Sequence, residues 1–217
     1  TDFTLETVTA EASSVITANA SVQTLVDAAS IDGETTALTT ADDTVIGTTA
    51  NDFIDATTKN TLETADVILD STTTDADILT ATVTTNSVAA RIQNVETINI
   101  DGLYVTTGLD LTNVSGATNL NLDSSIAGGT ATVTAANSLN ATTITAGANI
   151  TTLNVTSLTS GTRDGVTVDA GSATTVELTG AAAGADVYNA TIADDATLPL
   201  TTMASAVDTA NVNLADD

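Results

Sequence analysis

The chain has no cysteine, no histidine, no tryptophan and a single methionine. Without thiols it forms neither disulfides nor thiolate metal sites. Without imidazole as well, most transition-metal sites and most pairings of a nucleophile with a base have no components. Basic side chains number three, Lys59, Arg91 and Arg163, against 28 acidic ones, which gives a formal net charge of −25. So acidic a surface repels phosphate backbones and anionic lipid, which argues against nucleic acid as a partner; it attracts divalent cations. No apolar run is long enough to cross a bilayer, and no basic segment is followed by an apolar stretch, so membrane insertion is not expected. An export signal is expected outside this stretch. Proline occurs once, at Pro199, where it fits an edge or a turn, and aromatics are 2% of the chain.

What is present is threonine, nearly a quarter of all residues, together with regularly placed aliphatics. From Val95 to Ile192 a triplet with aliphatic flanks and a polar centre returns about every eleven residues. It reads Ile98-Asn99-Ile100, Leu109-Asp110-Leu111, Leu120-Asn121-Leu122, Ala131-Thr132-Val133, Thr142-Thr143-Ile144, Leu153-Asn154-Val155, Val166-Thr167-Val168 and Val176-Glu177-Leu178, with a looser copy at Ala190-Thr191-Ile192. In a strand alternate side chains share a face, so the flanks enter one interior while the centre meets solvent. Threonine and valine favour strands, and helix-forming lysine, glutamine and arginine are scarce.

A step of eleven residues is too short for a βαβ crossover. An antiparallel meander and a parallel solenoid remain, and uniform length favours the solenoid, because stacked coils must present strands in register. Two steps then make one coil of about 22 residues with two short strands. The fold expected is all-β, a parallel β-solenoid. In that register Leu109, Ala131, Leu153 and Val176 form one inner column; Ile98, Leu120, Thr142 and Val166 form another.

The outer columns bear on ice binding, which flat threonine arrays serve. One column reads Asp110, Thr132, Asn154, Glu177 and its neighbour Thr112, Thr134, Thr156, Thr179. Only the second is pure threonine, and a regular ice-matching plane needs both, so an ice-binding solenoid is a remote alternative.

Upstream, residues 38–94 are acidic and residues 1–37 irregular or capping, ahead of a threonine-rich solenoid over 95–217. The acidic segment holds Asp42, Asp43, Asp52, Asp55, Asp66, Asp70, Asp75 and Asp77, with Glu63 among them. Carboxylates on turns between short strands suit calcium, which takes about six to eight oxygen ligands, better than magnesium. The competing account is that each aspartate caps a turn.

The stretch from Leu38 to Ala56, Leu-Thr-Thr-Ala-Asp-Asp-Thr-Val-Ile-Gly-Thr-Thr-Ala-Asn-Asp-Phe-Ile-Asp-Ala, resembles the degenerate RTX-like repeat of S-layer and related surface proteins of Gram-negative bacteria. Asp66-Val-Ile-Leu-Asp70, Asp75-Ala-Asp-Ile-Leu-Thr80 and Ile92-Gln-Asn-Val-Glu-Thr-Ile-Asn-Ile100 follow in the order those proteins show, so the likeness spans roughly 38–180. It implies type I secretion, calcium in Gly- and Asp-rich loops, and a lattice on the cell surface. Of the paired glycines of the RTX turn only Gly47 is kept; Asp52 matches the ligand position best, and Asp42 and Asp75 match less closely.

The expectation is a non-enzymatic extracellular structural protein that assembles with itself into a surface layer or filament, with calcium bridging its carboxylates. A calcium-stabilised adhesin segment of a larger secreted protein is the alternative, its partner a cell-surface lipopolysaccharide or glycan. A β-helix enzyme acting on polyanions is disfavoured because Lys59, Arg91 and Arg163 are too few and too scattered to hold one.

Overall fold

The computed structural model describes residues 33–84, 88–102, 106–125, 127–134, 143–156, 161–162, 166–171, 173–179, 184–185, 187–193 and 209–215. The irregular N-terminal segment up to residue 32, Thr142, Arg163 and Pro199 lie outside them. The described residues carry nineteen strands, numbered β1 to β19 along the chain, and no helix. Every strand pairing among them is parallel, which excludes the meander.

One long sheet orders β1 (Thr35–Ala37), β3 (Phe53–Ala56), β5 (Ile78–Val83), β7 (Thr97–Gly102), β10 (Asn119–Ser124), β12 (Thr143–Ala146), β15 (Val166–Asp169), β18 (Val187–Ala193) and β19 (Thr209–Ala215). It runs unbroken through both the acidic and the threonine-rich segments. A second sheet stacks β2 (Thr44–Ile46), β4 (Val67–Leu69), β6 (Arg91–Gln93) and β9 (Val114–Ser115). A third stacks β8 (Thr106–Asp110), β11 (Gly129–Thr134), β13 (Ile150–Thr156) and β16 (Thr175–Thr179), and β14 (Gly161–Thr162) pairs with β17 (Gly184–Ala185). Among the described residues the coils β1–β2, β3–β4 and β5–β6 carry two strands, as expected, while β7–β8–β9, β12–β13–β14 and β15–β16–β17 carry three.

The chain climbs the long sheet in steps of 18, 25, 19, 22, 24 and 24 residues from Thr35 through Phe53, Ile78, Thr97, Asn119 and Thr143 to Thr167. The coil of about 22 residues is thus a mean around which turn lengths vary. Inward residues superpose: Leu79, Ile98, Leu120, Ile144, Val168 and Ala190 form a buried column. Apolar area removed from water at each of these larger side chains contributes about 1.5–3 kcal/mol, before the entropy of ordering the chain is counted.

The register corrects two of the expected columns. Leu109 lies beside Val133, not Ala131, and Leu120 lies beside Ile144, not Thr142. The cause is a turn between β10 and β11 that is two residues longer than the eleven-residue beat allows, in which Gly128 takes a φ of 87°. A slip of two preserves which face each side chain meets, so the alternation survives the longer turn. The alignments Ile98 with Leu120, Ala131 with Leu153 and Leu153 with Val176 stand. On the outside, Asp110 and not Thr112 heads the column of Thr134, Thr156 and Thr179.

Candidate metal centre

The corner that leads from the second sheet into the long sheet repeats its geometry coil after coil. The first residue after each second-sheet strand is Gly47, Asp70, Asn94 or Gly116, and the last before each facing long-sheet strand is Asp52, Asp77, Glu96 or Thr118. Backbone bonds stack these corners: Gly47 N–H to Leu69 O at 2.8 Å, Asp70 N–H to Gln93 O at 3.0 Å and Asn94 N–H to Ser115 O at 2.8 Å. Asn94 adopts a φ of 57° and Gly116 one of 84°, a left-handed turn that asparagine and glycine tolerate best.

The position before the long-sheet strand is filled by acids in three successive coils, Asp52, Asp77 and Glu96, which brings carboxylates close to one another. Asp52, Asp70 and Asp77, all buried, offer oxygens within 4.8 Å of one another, and so do Asp75, Asp77 and Glu96. Asp77 belongs to both groups.

Backbone and hydroxyl donors fix one oxygen each of Asp70, Asp75, Asp77 and Glu96, and both oxygens of Asp52. Asp52 N–H donates to Asp77 Oδ1 at 2.7 Å, and Asp77 N–H donates to Glu96 Oε2 at 3.0 Å. Thr72 serves two aspartates: its N–H donates to Asp70 Oδ2 at 2.5 Å and its hydroxyl donates to Asp75 Oδ1. Asp52 is held by Glu34 N–H at 2.6 Å on Oδ1 and by Thr48 N–H at 2.5 Å on Oδ2. The second oxygens of Asp70, Asp75, Asp77 and Glu96 are buried and without a hydrogen-bond partner.

Buried acceptors without donors are costly, and like charges so close add to the cost. The effect is visible at Asp77: burial pushes its carboxyl up from the ordinary 3.8 to about 6, the N–H of Asp52 opposes this, and Asp75, Asp70 and Asp52 add to it. Gly47 leaves room beside the group. A Cβ there would meet Oδ1 of Asp70 and come within 2.8 Å of Oδ2 of Asp52. Carboxylate oxygens gathered within 4.8 Å of one another form a hard-donor set for a metal ion.

Of the eight expected ligands, Asp52, Asp70, Asp75 and Asp77 are brought together here; the other four are not. Asp66 is buried, but Asp43 N–H at 2.9 Å and Glu63 N–H at 2.7 Å occupy its two oxygens. Asp43 accepts from Thr39 N–H at 2.6 Å, closing a turn. Asp55 accepts from the Thr57 hydroxyl at 2.6 Å and its N–H at 2.9 Å, bonds that hold its carboxyl below the usual range. Asp42 is exposed. Glu96 was not among the expected ligands. Its signal in the sequence was position, an acid directly before a strand like Asp52 and Asp77.

Comparison with known proteins returned no match to this chain, whether among family models, curated proteins or solved structures.

Proposed function

We propose that this chain is an extracellular structural β-solenoid whose acidic corner is locked by calcium, and that copies assemble into a surface layer or filament at the bacterial cell surface. The carrying observation is the corner itself, where Asp70 and Asp77 each keep a buried oxygen without a donor. Calcium answers that demand better than magnesium, because it accepts irregular oxygen cages and sheds water readily. Calcium there would tie successive coils, joining Asp52 to Asp77 through one carboxylate group and Asp77 to Glu96 through the other. Long parallel sheets with polar outer faces support assembly, since they offer identical faces that neighbouring copies would match in register. The resemblance of roughly residues 38–180 to RTX-like surface proteins points the same way and supports type I secretion.

Electron microscopy of purified chain tests both parts. Sheets or filaments should form with calcium and disperse when it is chelated. Material that survives chelation removes calcium from the mechanism, and a chain that stays monomeric at every concentration removes assembly.

A second reading, a calcium-stabilised adhesin segment, is favoured by one feature. A groove on the outer face of the long sheet is lined by Thr80, Asn99, Asp101, Asn121, Asp123 and Thr145. Its amides and carboxylates suit the hydroxyls of a glycan such as that of lipopolysaccharide. Retention of monomeric chain on a glycan array, lost in Asn121→Ala, would support it.

A further inference from the structure

We infer that the carboxylate corner is a two-cation site, in which Asp77 bridges one ion held with Asp52 and Asp70 and a second held with Asp75 and Glu96. This rests on the reading of the corner as a calcium site and adds its stoichiometry and division of labour.

The first support is the overlap of the two groups. Each is closed to within 4.8 Å on its own, and they share Asp77 alone. A single ion needs only one group, and then Asp75 and Glu96, or Asp52 and Asp70, stay crowded together without a counter-charge.

The second support is the pattern of free oxygens. Asp70, Asp75, Asp77 and Glu96 each have one oxygen tied by a protein donor and one buried oxygen left open. The residues with open oxygens fall on both sides of Asp77: Asp70 in one group, Asp75 and Glu96 in the other. Thr72 sets the orientation of Asp70 and Asp75 together, so the same loop residue prepares a ligand for each ion.

The third support is charge. Five carboxylates meet in the corner, and no cationic side chain is among the charges that act on Asp77. One divalent cation leaves three of their formal negative charges uncompensated, and two leave one. Uncompensated charge in a buried site is strongly unfavourable.

The test is the number of calcium ions per full-length chain. It is measured by equilibrium dialysis with elemental analysis and by titration calorimetry at about 0.15 M salt, where the diffuse attraction of the acidic surface is screened. Wild type should bind two ions. Asp70→Asn and Glu96→Gln should each bind one, and the double variant none. Asp77→Asn should weaken both ions by at least about tenfold, no less than the loss of an outer-shell partner costs. Strand circular dichroism confirms that each isostere is folded, and Glu96→Gln, at the half-buried edge of the corner, serves if Asp70→Asn does not fold. One ion in wild type, lost alike in Asp70→Asn and Glu96→Gln, overturns the two-ion arrangement while leaving calcium in the corner. No ion in wild type overturns both.

Discussion

The backbone N–H of Asp52 donates to Oδ1 of Asp77 at 2.7 Å, joining residues 25 apart in sequence and one coil apart in the stack. The bond secures one oxygen of Asp77 and leaves Oδ2 buried without a partner. Asp77 is thereby both a rung of the solenoid and a charge that burial disfavours.

Stability without calcium should therefore fall as pH rises. The folded state holds the Asp77 proton up to about pH 6, whereas the unfolded chain releases it near 3.8. Below 3.8 both states are protonated; between the two values only the folded state is, so each step upward in pH favours unfolding. Asp77→Asn keeps the acceptor for Asp52 N–H and puts an NH₂ donor among open carboxylate oxygens. Thermal melts of calcium-depleted protein at about pH 4.5 and 7.5 should show a smaller drop for the variant than for wild type. Calcium should reverse the ranking at neutral pH. Equal slopes for the two proteins would show that overall self-repulsion, and not Asp77, sets the pH dependence.

Asp66 separates structural aspartates from ligands. Both its oxygens accept backbone N–H groups, from Asp43 and Glu63, as those of Asp52 do from Glu34 and Thr48, but unlike Asp52 it joins neither carboxylate group. Asn in its place turns a donor toward one of those donors, so Asp66→Asn should cost about 1–3 kcal/mol in urea unfolding. Its calcium affinity should match wild type, and a marked loss would make Asp66 part of the centre.

Gly47→Ala tests the space beside the corner. The added methyl would sit 2.8 Å from Oδ2 of Asp52 and press on Oδ1 of Asp70, a clash with the carboxylates themselves that moves ligands. A loss of about 1–3 kcal/mol is expected from the overpacking. Calorimetric affinity for calcium should weaken with it, and affinity equal to wild type would place the ion elsewhere.

The parallel stack was legible because alternation of aliphatic and polar residues survives any shift of two. For the same reason the sequence did not reveal the longer turn at Gly128, and Leu109 was set beside Ala131 when its neighbour is Val133. The corner was legible as a region and not as a set. Asp66 and Asp70 flank the same strand, Val67–Leu69, with similar local texture. What distinguishes them is which corner each enters: Asp66 meets two backbone donors, Glu63 of its own turn and Asp43 of the preceding coil, and Asp70 meets other acids. That depends on contacts 20 or more residues away, as between Asp43 and Asp66, which no local motif encodes.

Leu153 tests how far the stack acts as a set of neighbouring coils. It is fully buried and sits in the third sheet between Ala131 and Val176, neither of which can swing over to fill a void. Leu153→Ala should cost about 2–5 kcal/mol, through lost transfer energy and the cavity left behind. In a linear array each coil contacts only the coils beside it, so the loss should be local. Hydrogen exchange should show protection falling in β11, β13 and β16 while β3 and β5, which flank the acidic corner, keep theirs and calcium affinity holds. A uniform fall through all strands would instead mean that the solenoid opens as one cooperative unit, in which case locking the acidic corner would stabilise the far end equally.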